Sequence, residues 1–257
     1  MGQRIRTIAS AVVLVALASA SPAWGSNSAF QAGYRATHAG FRSVHASWVM
    51  PAISCPGESS PGFEGSAWIG VGMGTSNSSS EQVVVRAFCT GIFPTYVVYF
   101  EVGGVQATGA AGGALMPHVG DRLAATVSYL GVFPYVSGPN TYHLSRYRFS
   151  ISDLTRAQSV TRVDSSDCLA HPCDHSSAGV TAGIPFAKYS PLADYGTVTF
   201  SHVAITDTHG HRGSFAKNKH WKIARLVQLD TSTHSIAASP STLSHHGRQF
   251  TDSWRAY

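Results

Sequence analysis

The sequence predicts an all-β protein, an antiparallel β-sandwich or jelly roll, and three observations carry that prediction. Charged residues make up 12% of the 257-residue chain and hydrophobic ones 44%, while Gly, Ser, Thr and Val are frequent and long polar helix formers scarce, a mixture that suits strands and turns. Short strand-like runs recur at residues 43–49, 66–71, 81–88, 96–102, 122–129, 147–151, 196–202 and 223–229, divided by clusters of Gly, Pro, Ser and Asn. Several of them alternate, as Ala124-Ala125-Thr126-Val127-Ser128-Tyr129 does, which places one face on a core and the other in water. Many such runs without a long helical pattern indicate a sandwich.

The chain opens with a signal-peptide pattern over residues 1–25. Arg4 and Arg6 supply a positive start, residues 8–18 are apolar, and small residues follow at Ala18-Ser19-Ala20 and Ala23-Trp24-Gly25. The apolar run is too short to span a bilayer, so the mature protein is expected to be secreted, extracellular and free of the membrane. Residues 26–257 show no linker, charge block, heptad or repeat and read as one domain. The polar segment 156–177 reads as an excursion at one end of the sandwich. Residues 231–247, rich in Ser, Thr and His, read as loop before a last strand near 249–254.

Four cysteines, Cys55, Cys89, Cys168 and Cys173, form an even set in an exported chain and so point to disulfides. Three connectivities are open. A tight Cys168–Cys173 loop is favoured, which leaves Cys55–Cys89 as the long-range bridge. Their spacing matches no paired Cys-x-x-Cys zinc pattern, and no metal or other cofactor is expected. The net charge of +5 with neutral histidines is scattered; the patch Lys217, Lys219, Lys222, Arg225 reads as a solvated face, and nucleic-acid binding is not indicated. The 13 histidines add positive charge below about pH 6. His209-Gly210-His211 has the types for metal chelation but reads as an exposed turn.

Specific words then resemble a known family. They are Ala32-Gly33-Tyr34, Phe41, Val44-His45-Ala46-Ser47-Trp48-Val49-Met50-Pro51, Ser66-Ala67-Trp68-Ile69-Gly70-Val71-Gly72, Thr75-Ser76-Asn77-Ser78 and Glu81-Gln82-Val83. The aromatic run from Tyr96 to Glu101, Val119-Gly120-Asp121, Pro191-Leu192-Ala193-Asp194-Tyr195-Gly196, Leu226-Val227-Gln228 and Ser239-Pro240-Ser241 continue the series. In this order and spacing, the chain resembles the glutamic peptidases, or eqolisins, over roughly residues 30–256. The resemblance implies a lectin-like β-sandwich that hydrolyses peptides in acid with a glutamine and a glutamate. A carboxylate is the base that still accepts a proton where histidine is charged, and an amide donates to the oxyanion of the tetrahedral intermediate.

Gln82 matches the family's glutamine. The glutamate should stand in a word of the form Ala-Glu-Trp-Ile-Val-Glu, and the corresponding segment here is Ser177-Ala178-Gly179-Val180-Thr181-Ala182-Gly183-Ile184-Pro185. Gly179 therefore stands where the catalytic glutamate is missing, with Gly183 in place of the second glutamate. Phe30-Gln31 likewise replaces the Asn-Trp that tends to precede Ala-Gly-Tyr. Four glutamates exist. Glu58 and Glu64 lie in a Gly, Ser and Pro-rich loop, and Glu81 should face away from Gln82. Glu101, ending a run that can pair with the Gln82 strand, is the substitute acid/base; Asp174 is a second candidate, and His175 a base only near neutral pH.

Two functions follow. One is an active peptidase with a relocated carboxylate; the other is a non-catalytic relative whose cleft binds peptide or glycan. Trp68, Tyr96 and Tyr99 are the expected substrate-binding aromatics, polypeptide the expected partner, and a monomer the expected state. A lectin-like glycosidase lacks the closely spaced carboxylates that retaining hydrolysis needs.

Overall fold

The computed structural model describes residues 26–28, 31–55, 65–74, 81–103, 105–107, 115–167, 175–184, 192–216, 218–230 and 233–255. The signal-peptide segment, Glu58, Glu64, Cys168, Cys173 and Asp174 lie outside the described residues. Among the described residues sixteen strands occur in chain order: β1 (Ser26–Ser28), β2 (Gln31–Thr37), β3 (Phe41–Val49), β4 (Ser66–Gly74), β5 (Glu81–Thr90), β6 (Phe93–Val102), β7 (Val105–Ala107), β8 (Arg122–Ser137), β9 (Asn140–Asp153), β10 (Gln158–Asp167), β11 (Ser177–Gly183), β12 (Thr197–Asp207), β13 (Arg212–Gly213), β14 (Lys222–Leu229), β15 (Ile236–Pro240) and β16 (Phe250–Trp254). One short 3-10 turn, His245–Gly247, is the helical element among the described residues.

Hydrogen bonding runs in the order β10-β9-β8-β3-β12-β16-β15-β14-β2-β11-β4-β5-β6-β7, with β1 on β14 and β13 on β12. The pairs along that path are antiparallel. The path folds back on itself, so that β3, β8, β9 and β12 lie against β4, β5 and β11. The predicted β-sandwich is the fold observed.

The alternation read in the sequence positions the core. Val44, Ala46 and Trp48 of β3, Leu123, Ala125 and Val127 of β8, and Val83, Val85 and Ala87 of β5 are at most 2% exposed. Aromatic rings join the two layers: Phe100 of β6 meets Phe149 of β9 at 6.0 Å, and Tyr34 of β2 packs edge-on against Phe250 of β16 at 4.9 Å. Each such buried ring contributes roughly 1.5–3 kcal/mol by leaving water. Cys55 and Cys89 form a disulfide, as expected, tying the segment after β3 to the end of β5.

Two segments differ from expectation. Residues 158–167 are not an irregular excursion but strand β10, paired along its length with β9. Its polarity, in Gln-Ser-Val-Thr-Arg-Val-Asp-Ser-Ser-Asp, is that of an edge strand, where charge discourages pairing with other chains. Residues 231–247 are likewise not all loop. Ala237 and Ala238 are buried within β15, which β14 and β16 flank; small residues between two neighbouring strands left no hydrophobic period to read.

Candidate active site

Strand β5 carries the site because its alternation separates two chemistries. Glu81, Val83 and Val85 turn inward, Glu81 being fully buried, as expected for the neighbour of Gln82. Gln82, Val84 and Arg86 turn to the opposite face. The register then spreads that face across the sheet. Gln82 pairs with Glu101 of β6 on one side and Gly72 of β4 on the other; Gly72 pairs with Gly179 of β11, and Gly179 with Arg35 of β2. Residues opposed in this way present their side chains to one face. The row therefore reads Glu101, Gln82, Gly72, Gly179, Arg35.

The parallel rows complete a trough. Tyr99, Val84, Gly70, Thr181 and Gly33 form the next, and Val97, Arg86, Trp68, Gly183 and Gln31 the one beyond. Glycines form the middle of the floor. At Gly70 a Cβ would stand 2.0 Å from the carbonyl oxygen of Val83, so the close approach of β4 to β5 requires glycine there. Gln31, Trp68, Gln82, Val84, Thr181, Gly183 and Ile184 line a narrow pocket over this floor.

Gln82 and Glu101 meet directly: Gln82 Nε2 donates a hydrogen bond to Glu101 Oε2. Both are 7% exposed. Burial pushes the Glu101 carboxyl up to about 7, against the lowering effect of the bond from Gln82. Such a carboxyl is protonated over roughly pH 2 to 5, and a protonated acid accepts no proton from water.

Arg35 introduces the opposite charge. It is 3% exposed, its Nη2 donates to Gln31 Oε1 at 2.7 Å, and burial lowers its pKa to about 10, which leaves it cationic through neutral pH. It stands across from Gly179 on the same face, in the row where the resemblance implies an acid. Arg35 belongs to none of the sequence words that mark the site, although the alternation of Gln31, Gly33 and Arg35 against apolar Ala32, Tyr34 and Ala36 carries the signal.

The aromatics divide. Trp68 lines the pocket, and Tyr99 stacks on it with centroids 5.6 Å apart and planes at 14°. Tyr96 does not join them. It shares the parity of Val98 and Phe100, is 7% exposed within the core, and its hydroxyl donates to the carbonyl of Pro51; three residues along a strand reverses the face. His175 is also elsewhere. Strand β11 begins at Ser177, and the His175 ring stacks on Tyr129 of β8 at 4.1 Å.

An antiparallel β-sandwich of this architecture is the fold of the glutamic-peptidase kind. The model of the Peptidase A4 family matches residues 29–244, and the chain belongs to that family. Scytalido-glutamic peptidase, solved with a transition state analog inhibitor, superposes with a TM-score of 0.65 at 12% identity over 88% of this chain and 98% of its own. SCP-B, a member of the eqolisin family solved with the tripeptide Ala-Ile-His, gives 0.62 at 13% identity over the same shares. These likenesses establish the fold. No curated protein sequence matches the chain.

Proposed function

We propose that the mature chain is an exported, peptide-binding member of the glutamic peptidase family that has lost acid catalysis. The observation that carries this reading is the register Gln82–Gly72–Gly179–Arg35. The resemblance assigns Gly179 the place of the catalytic glutamate, and a glycine there with a guanidinium beyond it offers no base for water. Gln82, Trp68 and Thr181 still face the pocket. An amide, an indole and a hydroxyl over a glycine floor suit an extended peptide, whose backbone needs donors and acceptors and whose side chains need apolar contact. Peptide bound to SCP-B is consistent with that occupant. Export rests on the N-terminal pattern, and the Cys55–Cys89 disulfide is compatible with it. Among the described residues no helix is long and apolar enough to cross a membrane.

Binding of a random-sequence peptide library at pH 4 and pH 7 tests the reading. Retention of peptide by the mature chain, weakened tenfold or more in Trp68→Ala, supports it; retention of none at either pH overturns it.

The bond between Gln82 and Glu101 favours one second reading. With a carboxyl near 7, Glu101 could serve as a base only from about neutral pH upward, so a residual peptidase would gain activity as pH rises through 7 and lose it in Glu101→Gln. Glu101 is bonded to Gln82 and absent from the pocket lining, which is why binding is preferred.

A further inference from the structure

Far along the chain from Gln82, the β12–β13 hairpin gathers three imidazoles around one buried carboxylate. Asp207, 2% exposed, ends β12. Its Oδ1 accepts the backbone N–H groups of His209 and His211, each at 2.9 Å. The main chain closes the turn, with Asp207 N donating to His211 O at 3.0 Å and Gly210, at φ +88°, donating to Asp207 O. Those bonds explain an aspartate at the turn. They do not explain the histidines.

Asp207 Oδ2 lies 2.8 Å from His211 Nδ1. A carboxylate on Nδ1 selects the tautomer whose Nε2 lone pair is free to bind a cation, the arrangement that orients metal-bound histidines in general. One ligand atom each from Asp207, His209 and His211 lies within 4.8 Å of the others. The following loop braces this turn: His220 stacks face to face on His211 with centroids 3.6 Å apart and planes at 18°, which holds the His211 ring plane without offering a nitrogen to the same ion. Its position is fixed from below, since Asn218 Oδ1 accepts the N–H groups of His220 and Trp221, and the Trp221 indole donates to Ser214 O. His209 and His211 are exposed, so an ion can reach them.

We propose that the turn 207–211 binds one borderline divalent transition-metal ion of the Zn2+ class, His209 and His211 supplying imidazole nitrogen, Asp207 orienting His211, and the stacked His220 ring holding the His211 plane in place. Imidazole donors with few carboxylates select this class over Mg2+ or Ca2+. The site is independent of the peptide-binding reading. Sequence spacing showed only the pair at 209 and 211; the fold adds Asp207 beneath them and His220 beside them.

Isothermal titration of the chelator-treated mature chain with ZnCl2 at pH 7.5 tests the site, with the visible absorption of a Co2+ form as a second readout. One ion per chain is expected. His209→Ala, which removes no bond to buried Asp207, should weaken binding tenfold or more and alter the Co2+ spectrum; His220→Ala, which removes only the ring stacked on His211, should weaken binding by less, while His143→Ala, on β9, leaves both unchanged. Circular dichroism confirms that the variants fold. Unchanged Zn2+ affinity in the His209→Ala, His220→Ala double variant overturns the proposal, as does absence of binding at millimolar Zn2+.

Discussion

Gln82 Nε2 donates to Glu101 Oε2 across the β5–β6 ladder, and both side chains are buried. This pairing fixes the amide orientation of Gln82 and couples it to a carboxyl whose pKa is raised to about 7. The stability of the fold should register that shift.

Glu101 is expected to stabilise the protein in acid. A raised folded-state pKa means that the folded chain holds a proton that the unfolded chain has released, so the contribution is complete below about pH 4 and is lost as pH rises through 7. Asp252, fully buried and raised to about 8, acts in the same direction. The Glu101 effect is at most about 3 kcal/mol. Denaturant unfolding from pH 4 to 8 should show a loss of stability with rising pH that Glu101→Gln reduces. An equal slope in the variant would contradict the assignment.

Removal of Gln82 should leave a buried carboxyl without that donor. Gln82→Ala is expected to raise the Glu101 pKa further, since the bond from Gln82 lowers it, and to cost about 1–3 kcal/mol in stability above pH 7, where the carboxylate forms. Carbon-detected NMR titration of the Glu101 carboxyl measures the first effect, and denaturant midpoints the second.

The floor of the trough tolerates no side chain at Gly70. In Gly70→Ala the new methyl would meet the Val83 carbonyl at 2.0 Å, backbone that cannot swing aside. A loss of about 3 kcal/mol or more, or failure to fold, is expected, with unfolding midpoint and soluble yield as the readouts.

The Cys55–Cys89 bridge spans 34 residues. Its removal in a Cys55→Ser, Cys89→Ser variant should cost about 3–4 kcal/mol by freeing the unfolded chain. Comparison of chemical midpoints for the variant and the parent checks this.

Much of this architecture was legible because alternation is a strong signal. The runs of β3, β5 and β8 declare their buried faces residue by residue, and the turn at Ser137 to Asn140 closes through Gly138 at φ +58°. The strand pairing of Gln82 with Glu101 also followed from adjacent runs. Strand β15 is silent in the sequence because its Ala and Ser bury as readily as larger residues without marking a period. Arg35 escaped for a different reason. A charged residue in a strand ordinarily reads as solvent-facing, and only the register shows it lying 3% exposed across from Gly179. Tyr96 lies close to Tyr99 in sequence but on the other face of β6, since an odd separation in a strand sends two side chains to opposite faces.

The loss of acid catalysis is tested most directly by incubating the purified mature chain with a denatured protein between pH 2 and 8 and identifying products by mass spectrometry. The account predicts no cleavage from pH 2 to 5, because Gly179 offers no carboxylate and Glu101 is protonated there. Acid cleavage that disappears in Gln82→Ala would contradict it.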